Sequence, residues 1–110
     1  MANPNLLNTT SIYGKNVGLN GNGSTQTMLT CPSDKLIKIV SINVHHDGSN
    51  LVNRIKINGF QVSGGNTTIP QGDGNYIIGG FLLTEGQTVQ FYGSNSSVDC
   101  FISYEEIDDA

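Results

Sequence analysis

The sequence predicts an all-β fold: a single antiparallel β-sandwich of about seven or eight short strands, with a jelly-roll or Greek-key arrangement. Only 13% of the 110 residues are charged, whereas an average domain has about 25%. The chain is instead rich in Thr, Ser, Asn and Gly, which favour turns and strands over helices. Short apolar segments alternate with clusters of these residues, as in sandwiches and small barrels.

The first half of the chain contains three predicted strands. A short strand at about residues 10–13 is followed by a predicted loop, NVGLNGNGST, whose Asn-Gly pairs favour positive φ. The second strand covers residues 26–30. The third, residues 36–46, is the strongest, because its density of β-branched residues argues against a helix. One face of this third strand is predicted to contain Leu36, Val40, Ile42 and Val44.

The second half contains a predicted hairpin and three further strands. Asn58-Gly59 lies between apolar residues and predicts a type I′ turn. After a long polar connection, residues 76–83 form a strand in which Gly79-Gly80 indicates a bulge or a close backbone approach. Residues 88–92 and 98–105 follow as strands. In the last of these, Val98, Cys100, Ile102 and Tyr104 are predicted to point inward and Phe101 outward.

The predicted core draws on nearly all of these strands. Two cysteines are too few to indicate a disulfide scaffold. Cys100 is interpreted as a buried free thiol, and a bridge to Cys31 remains open at this stage. The predicted core residues are Ile12, Leu36, Val40, Ile42, Val44, Ile55, Ile57, Ile77, Val89, Phe91, Cys100 and Ile102.

Charge and length limit the classes of partner. The chain is predicted to form one domain over residues 1–110, with an N-terminal arm at about residues 1–14 and an acidic C-terminal tail at about residues 105–110. The net charge is −4, and the five basic residues are too scattered to follow a phosphate backbone. No apolar run approaches the roughly 18 residues that span a bilayer, and the start lacks the features of a secretory signal. We therefore expect neither a nucleic-acid nor a membrane partner.

The sequence offers little for catalysis or metal binding. His45 and His46 are adjacent in a predicted strand and should face opposite ways, so they are poorly placed to share one ion. QGDGN and DGSN resemble fragments of calcium loops but lack the remaining acidic ligands. Both histidines lie at one strand end, which disfavours a nucleophile–base pair elsewhere. We expect no enzyme activity, no cofactor and no metal.

The two ends of the chain carry a resemblance. MANPNLLNTTSIYGK at the start and FISYEEI near the end resemble the ends of small β-rich virion structural proteins of tailed phages, particularly phages of marine cyanobacteria. The middle, including INGFQVSGG and NYIIGGFLL, differs from that group. The resemblance implies a virion protein that assembles in the host cytoplasm. The leading interpretation is a capsid decoration or cement protein. The alternative is a tail, neck or fibre component, including one that binds carbohydrate in host attachment.

This interpretation predicts an interface and an oligomer. Low charge and an apolar N-terminal segment suit attachment to the major capsid protein, or to tail or neck proteins, by packing and strand pairing. The alternative is an N-terminal strand that packs on its own domain. A homotrimer is expected, because open sheet edges must be covered and phage lattices offer threefold positions. For a carbohydrate ligand the stacking candidates are Tyr76, Tyr92 and Phe101. The predicted interface residues are Leu6, Leu7, Ile12, Tyr13 and Phe101.

Overall fold

The computed structural model describes residues 11–48, 51–64 and 74–108. Within these ranges the chain has eight strands and no helix, which confirms the all-β prediction. It follows that no helix in those ranges is long and apolar enough to span a membrane. The strands are β1 (Ile12–Asn20), β2 (Thr25–Thr30), β3 (Lys35–His46), β4 (Asn53–Ile57), β5 (Phe60–Gly64), β6 (Gly74–Leu83), β7 (Thr88–Gly93) and β8 (Val98–Asp108).

The strands form two antiparallel sheets of four strands each. Sheet A has the order β1-β8-β3-β6, and sheet B has the order β2-β7-β4-β5. The pairing is nested: β1 pairs with β8, β2 with β7, β3 with β6, and β4 with β5. Eight strands that pair in this nested order and form two sheets make a jelly roll, which is one of the two arrangements that the sequence predicts.

The core lies between the two sheets. Inward residues of β3 and β8 meet inward residues of β4 and β7, with side chains alternating between core and solvent along each strand. Ile77 is half-buried against this core. The prediction is wrong for Ile12 and Val40, which are 58% and 44% exposed. The predicted core residues that are buried between the sheets are Ile42, Val44, Ile55, Ile57, Val89, Phe91, Cys100 and Ile102. Leu36 is also buried, but it lies on the opposite face of β3, paired with Ile107 of β8.

A β-bulge in β3 explains the error at Val40. The register of β3 with both β8 and β6 shifts between Ile39 and Ser41, so Val40 is an extra residue in the strand. Because successive side chains point to opposite faces, one extra residue exchanges the two faces of the strand. Before the bulge, the residues of β3 that face the core are therefore Ile37 and Ile39, whereas the predicted core face contained Leu36 and Val40. The core-facing residues of β3 are Ile37, Ile39, Ile42 and Val44.

β1 is longer than predicted, because NVGLN is part of the strand rather than a loop. All nine residues of β1 are in register with β8. Val17 and Leu19 are half-buried and pack against the core. This pairing and packing outweigh the turn preference of the neighbouring Asn and Gly residues. The predicted arm of residues 1–14 therefore overlaps β1, while Leu6 and Leu7 lie outside the described residues.

β8 extends to Asp108, so residues 105–108 of the predicted acidic tail belong to a strand. Their carboxylates lie beside lysines of the neighbouring strands, which balance the negative charge along β8. Lys35 donates a hydrogen bond from its side-chain amine to Asp108, and this bond raises the pKa of Lys35. Ion pairs of residues 105–108 with described lysines include Lys15–Glu106 (Nζ–Oε1 3.2 Å), Lys38–Glu105 (Nζ–Oε1 4.0 Å) and Lys35–Asp108.

Two turns depend on glycine. Asn58 and Gly59 have φ values of 50° and 85°, and positive φ at both central positions is what a type I′ hairpin requires. The predicted hairpin is thereby confirmed. After β1, the chain turns against the end of β7: a Cβ on Gly21 would lie 2.7 Å from Gly93 Cα. This backbone-to-backbone approach leaves no room for a side chain at Gly21.

Candidate functional site

The start of β1 presents two adjacent apolar side chains to solvent. Ile12 is 58% exposed and Tyr13 is 51% exposed. Since neighbouring strand residues point to opposite faces, the two side chains project on opposite sides of the same strand end. Tyr13 shares its side with Val17 and Leu19 but lies farther from the core, so the sandwich leaves it uncovered. The structure thus brings together two of the predicted interface residues.

This strand end lies on a free sheet edge. Among the described residues, β1 pairs with β8 alone, so the N–H and C=O groups along its other edge have no strand partner. Natural edge strands are usually short, bulged or heavily charged. β1 has nine residues in unbroken register and carries one charge, Lys15, which is paired with Glu106. Such an edge is suited to adding a strand from another chain.

Phe101 belongs to a different surface. It pairs with Gly18, whereas Ile12 pairs with Ile107, six residues away along β8. At about 3.4 Å per residue the two sites are roughly 20 Å apart. Phe101 is 49% exposed, and its Cδ1 would be 3.2 Å from a Cβ on Gly18. The ring therefore lies across Gly18 on the outer face of sheet A, as predicted for an outward residue.

A groove of ≈ 550 Å³ lies on the same face, between Phe101 and the start of β1. Backbone from β1, β3, β6 and β8 forms its floor, and it is open to solvent. Sequence reasoning missed this site, because its residues are distant in the chain and the register alone brings them together. Residues that line the groove include Gly14, Asn16, Lys38, Val40, Ser103 and Glu105.

The bulge shapes this groove. Ile39 and Ser41 of β3 pair with adjacent residues of β8, so Val40 is one extra residue in β3. The residues of β6 that pair with Ile39 and Ser41 are separated by two extra residues, Gly79 and Gly80. Extra residues bend and twist a strand locally, so the sheet distorts progressively from β8 to β6. The predicted irregularity at Gly79-Gly80 is confirmed, and Gly80 has a φ of 99°. Positions on Gly14 and Gly80 where a Cβ would sit have no atom within 4 Å, which keeps the groove open.

The lining of the groove is mainly apolar, with a few polar groups, and each charged residue that lines it belongs to an ion pair. Ser103 Oγ donates a hydrogen bond to Asn16 Oδ1 at 2.9 Å, which holds the amide of Asn16 in place. Lys38 Nζ lies 4.0 Å from Glu105 Oε1, with the two side chains 54% and 38% exposed. At this separation the ion pair is loose, and both groups remain open to other hydrogen-bond partners. No His or Cys is among the described residues that line the groove.

The other two predicted stacking residues are placed differently. Tyr92 lies on sheet B with the guanidinium carbon of Arg54 4.4 Å from its ring centroid, so a cation already covers one ring face. The side chain of Tyr76 lies outside the described residues. Of the three candidates, Phe101 is the one that the described structure places beside the groove.

The two histidines face opposite ways, as predicted. His45 is exposed and His46 is buried. Asn53 Nδ2 donates to His46 Nε2 at 2.7 Å, joining β3 of sheet A to β4 of sheet B. His46 Nδ1 has no hydrogen-bond partner among the described residues. Among all the residues that the structure describes, no three His, Cys, Asp or Glu side chains are grouped so that they could hold a metal ion.

The cysteines are buried free thiols, which confirms the prediction for Cys100. Burial raises the pKa of Cys100 to about 12. Burial, followed by the Glu106 carboxylate, raises the pKa of Cys31. Because the thiolate is the reactive form, these thiols are poorly suited to nucleophilic chemistry at neutral pH.

Comparison with known proteins identifies no family for this chain. No protein-family model and no curated protein matches it. Among solved structures, it is similar to the Agl-KA catalytic domain, with 14% identity, 84% of this chain covered and a TM-score of 0.34; the chain spans 21% of that domain's length. It is also similar to the CBM36-1 domain of a multidomain xylanase from the hindgut metagenome of Trinervitermes trinervoides, with 18% identity, 93% and 90% of the two chains covered and a TM-score of 0.28. Neither similarity is close enough to bear on function.

Proposed function

We propose that the chain is a non-enzymatic structural protein of a phage virion, and that it decorates the capsid shell and stabilises contacts between shell subunits. It attaches through the start of β1 and the segment that precedes it. The end sequences MANPNLLNTTSIYGK and FISYEEI support the assignment to a virion through the resemblance described above. The structural support is the placement of Ile12 and Tyr13.

One observation carries this proposal: two adjacent apolar side chains, each more than half exposed, stand at the start of an unbroken edge strand. A partner that pairs with β1 would bury both side chains and satisfy the free backbone groups in the same step. Complete burial of a large apolar side chain contributes roughly 1.5–3 kcal/mol. Since about half of each side chain is already covered, burial of the remainder of both side chains contributes roughly 1.5–3 kcal/mol.

A component of the tail, neck or fibre is the second candidate. The groove beside Phe101 favours it, since a virion protein that contacts the host needs an outward-facing ligand site. Copy number separates the two candidates, because shell decoration requires hundreds of copies per particle and a tail position requires a few tens or fewer.

The proposal is tested with the double variant Ile12→Ser/Tyr13→Ser in phage particles that encode this chain. Copies per virion are counted by quantitative mass spectrometry, and the melting temperature of the isolated protein is measured in parallel. We expect incorporation to fall by roughly tenfold to a hundredfold, from about 1.4 kcal/mol per tenfold. Melting should be unchanged, because both side chains are largely exposed in the free protein.

The matched control is Phe60→Ser/Val62→Ser. These side chains are 74% and 39% exposed, and they lie on β5, in the other sheet. The control should be incorporated normally. Wild-type incorporation of the Ile12/Tyr13 variant, or an equal loss in the control, contradicts attachment through β1.

A further inference from the structure

We propose that the groove on the outer face of sheet A binds a neutral oligosaccharide, with the ring of Phe101 as its stacking platform. The groove begins at Gly14, two residues beyond Ile12, and its Phe101 end lies roughly 20 Å from the attachment surface at the start of β1. It requires a ligand with hydroxyl groups for the polar side chains and an apolar ring face for the aromatic side chain.

The ring of Phe101 packs against the backbone of β1 at Gly18. Phe101 Cδ1 and Cε1 lie 3.2 and 3.8 Å from where a Cβ of Gly18 would be, so the ring is packed across the backbone of β1 and leaves about half of its surface to solvent. Cδ1 and Cε1 belong to one edge of the ring, so the rest of the ring is available to a ligand. The axial C–H groups of a pyranose ring can pack on its face.

Polar groups continue from this platform along the sheet. Asn16 and Ser103 lie two residues from Gly18 and Phe101 on the same face, and Glu105 lies two residues further. This row of side chains extends about 13 Å at 3.4 Å per residue, which is enough for a short oligosaccharide. Asn16 Oδ1 is occupied by Ser103, which leaves the Nδ2 group of Asn16 to donate to a ligand oxygen.

The loose ion pair adds a donor and an acceptor. Lys38 Nζ and Glu105 Oε1 are 4.0 Å apart, so one hydroxyl group can accept from the ammonium and donate to the carboxylate. Hydroxyl groups are donors and acceptors at once, and this property matches the pair. The opposite charges cancel, which favours a neutral ligand over an anionic one.

The site is less suited to an extended peptide. Backbone at the groove floor on the two central strands, including Ile39 and Tyr104, is paired on both sides in the ladders of sheet A, and strand addition requires free backbone groups. Recognition in the groove must therefore use side chains and the aromatic face. A saccharide meets that condition.

The test uses the isolated protein labelled with nitrogen-15. Amide resonances are followed while cellohexaose, xylohexaose, maltohexaose or mannohexaose is added to millimolar concentration, and a heparin-derived hexasaccharide serves as the anionic probe. We expect at least one neutral hexasaccharide to shift the resonances of Asn16, Phe101 and Ser103. The anionic probe should leave them unchanged.

Variants then locate the binding. Phe101→Ala should weaken binding by about tenfold through loss of the aromatic contact, whereas Phe60→Ala, at an exposed phenylalanine on sheet B, should leave it unchanged. Gly14→Leu should abolish it by filling the groove, since a Cβ there meets no atom within 4 Å. The proposal is overturned if no neutral hexasaccharide shifts these resonances, if only the anionic probe does, or if Phe101→Ala and Gly14→Leu bind as wild type. These outcomes do not depend on attachment through β1, because no virion is involved.

Discussion

Replacing Gly21 with alanine should destabilise the domain severely, because this position joins the end of β1 to the end of β7. A Cβ on Gly21 would lie 2.5 Å from Asn95 O, 2.7 Å from Gly93 Cα and 2.9 Å from Gly93 C. All three are backbone atoms, so no side-chain rotation can relieve the contact. The turn after β1 must move away from β7.

The magnitude follows from what that movement disrupts. Overpacking of a well-packed site costs about 1–3 kcal/mol. Gly21 N donates to Val98 O at 2.8 Å, and Gly23 N donates to Gly93 O at 2.9 Å. Each of these hydrogen bonds contributes about 0.5–1.5 kcal/mol, so the total loss is about 2–6 kcal/mol, a large part of the 5–15 kcal/mol that is usual for a domain.

Urea unfolding at equilibrium and thermal melting measure this effect. We expect Gly21→Ala to lower the melting temperature by about 10–25 °C with an unchanged m-value. Gly14→Ala, within β1, is the matched control. It places a Cβ in open space and should change stability by no more than about 1 kcal/mol. Equal stability of Gly21→Ala and wild type would refute the close approach of these two turns.

Three further predictions concern the core, the N-terminal segment and assembly. The pKa of Cys100 is raised from 9.0 in the unfolded chain to about 12 in the fold, so the stability that comes from keeping this thiol protonated is complete below pH 9 and is lost as the pH rises toward 12. The total is about 4 kcal/mol. In urea unfolding, Cys100→Ala should therefore lose less stability at alkaline pH than the wild type does. The variant Leu6→Ser/Leu7→Ser should melt at the wild-type temperature but attach about a thousandfold more weakly, measured as copies per virion. A lowered melting temperature would instead place these leucines on the domain's own core. Wild-type melting together with wild-type incorporation would contradict both roles. Light scattering should give the mass of a trimer, and a monomer both in solution and on the particle contradicts that expectation.

The strand pattern could largely be predicted from the sequence, because local chemistry determines it. The Asn58-Gly59 hairpin follows from two positions that require positive φ. Alternation in β8 placed Cys100 inside and Phe101 outside without any knowledge of its neighbours. Each of these features depends on a few adjacent residues.

The errors arise where distant pairing decides the structure. Val40 could not be assigned to the outer face, because its bulge is defined only against β8 and β6. The extension of β1 depends on its ladder with β8, which joins the two ends of the chain. The groove was missed for the same reason, since Asn16 and Ser103 are 87 residues apart. No local pattern records their contact.

The location and copy number of the chain in purified virions test the proposed function most directly. Cryo-electron microscopy of the particles, combined with quantitative mass spectrometry, provides both. We expect hundreds of copies on the outside of the shell, with a jelly-roll domain whose β1 edge faces a shell subunit. A few tens of copies or fewer at the tail, or complete absence of the chain from the particle, would contradict capsid decoration.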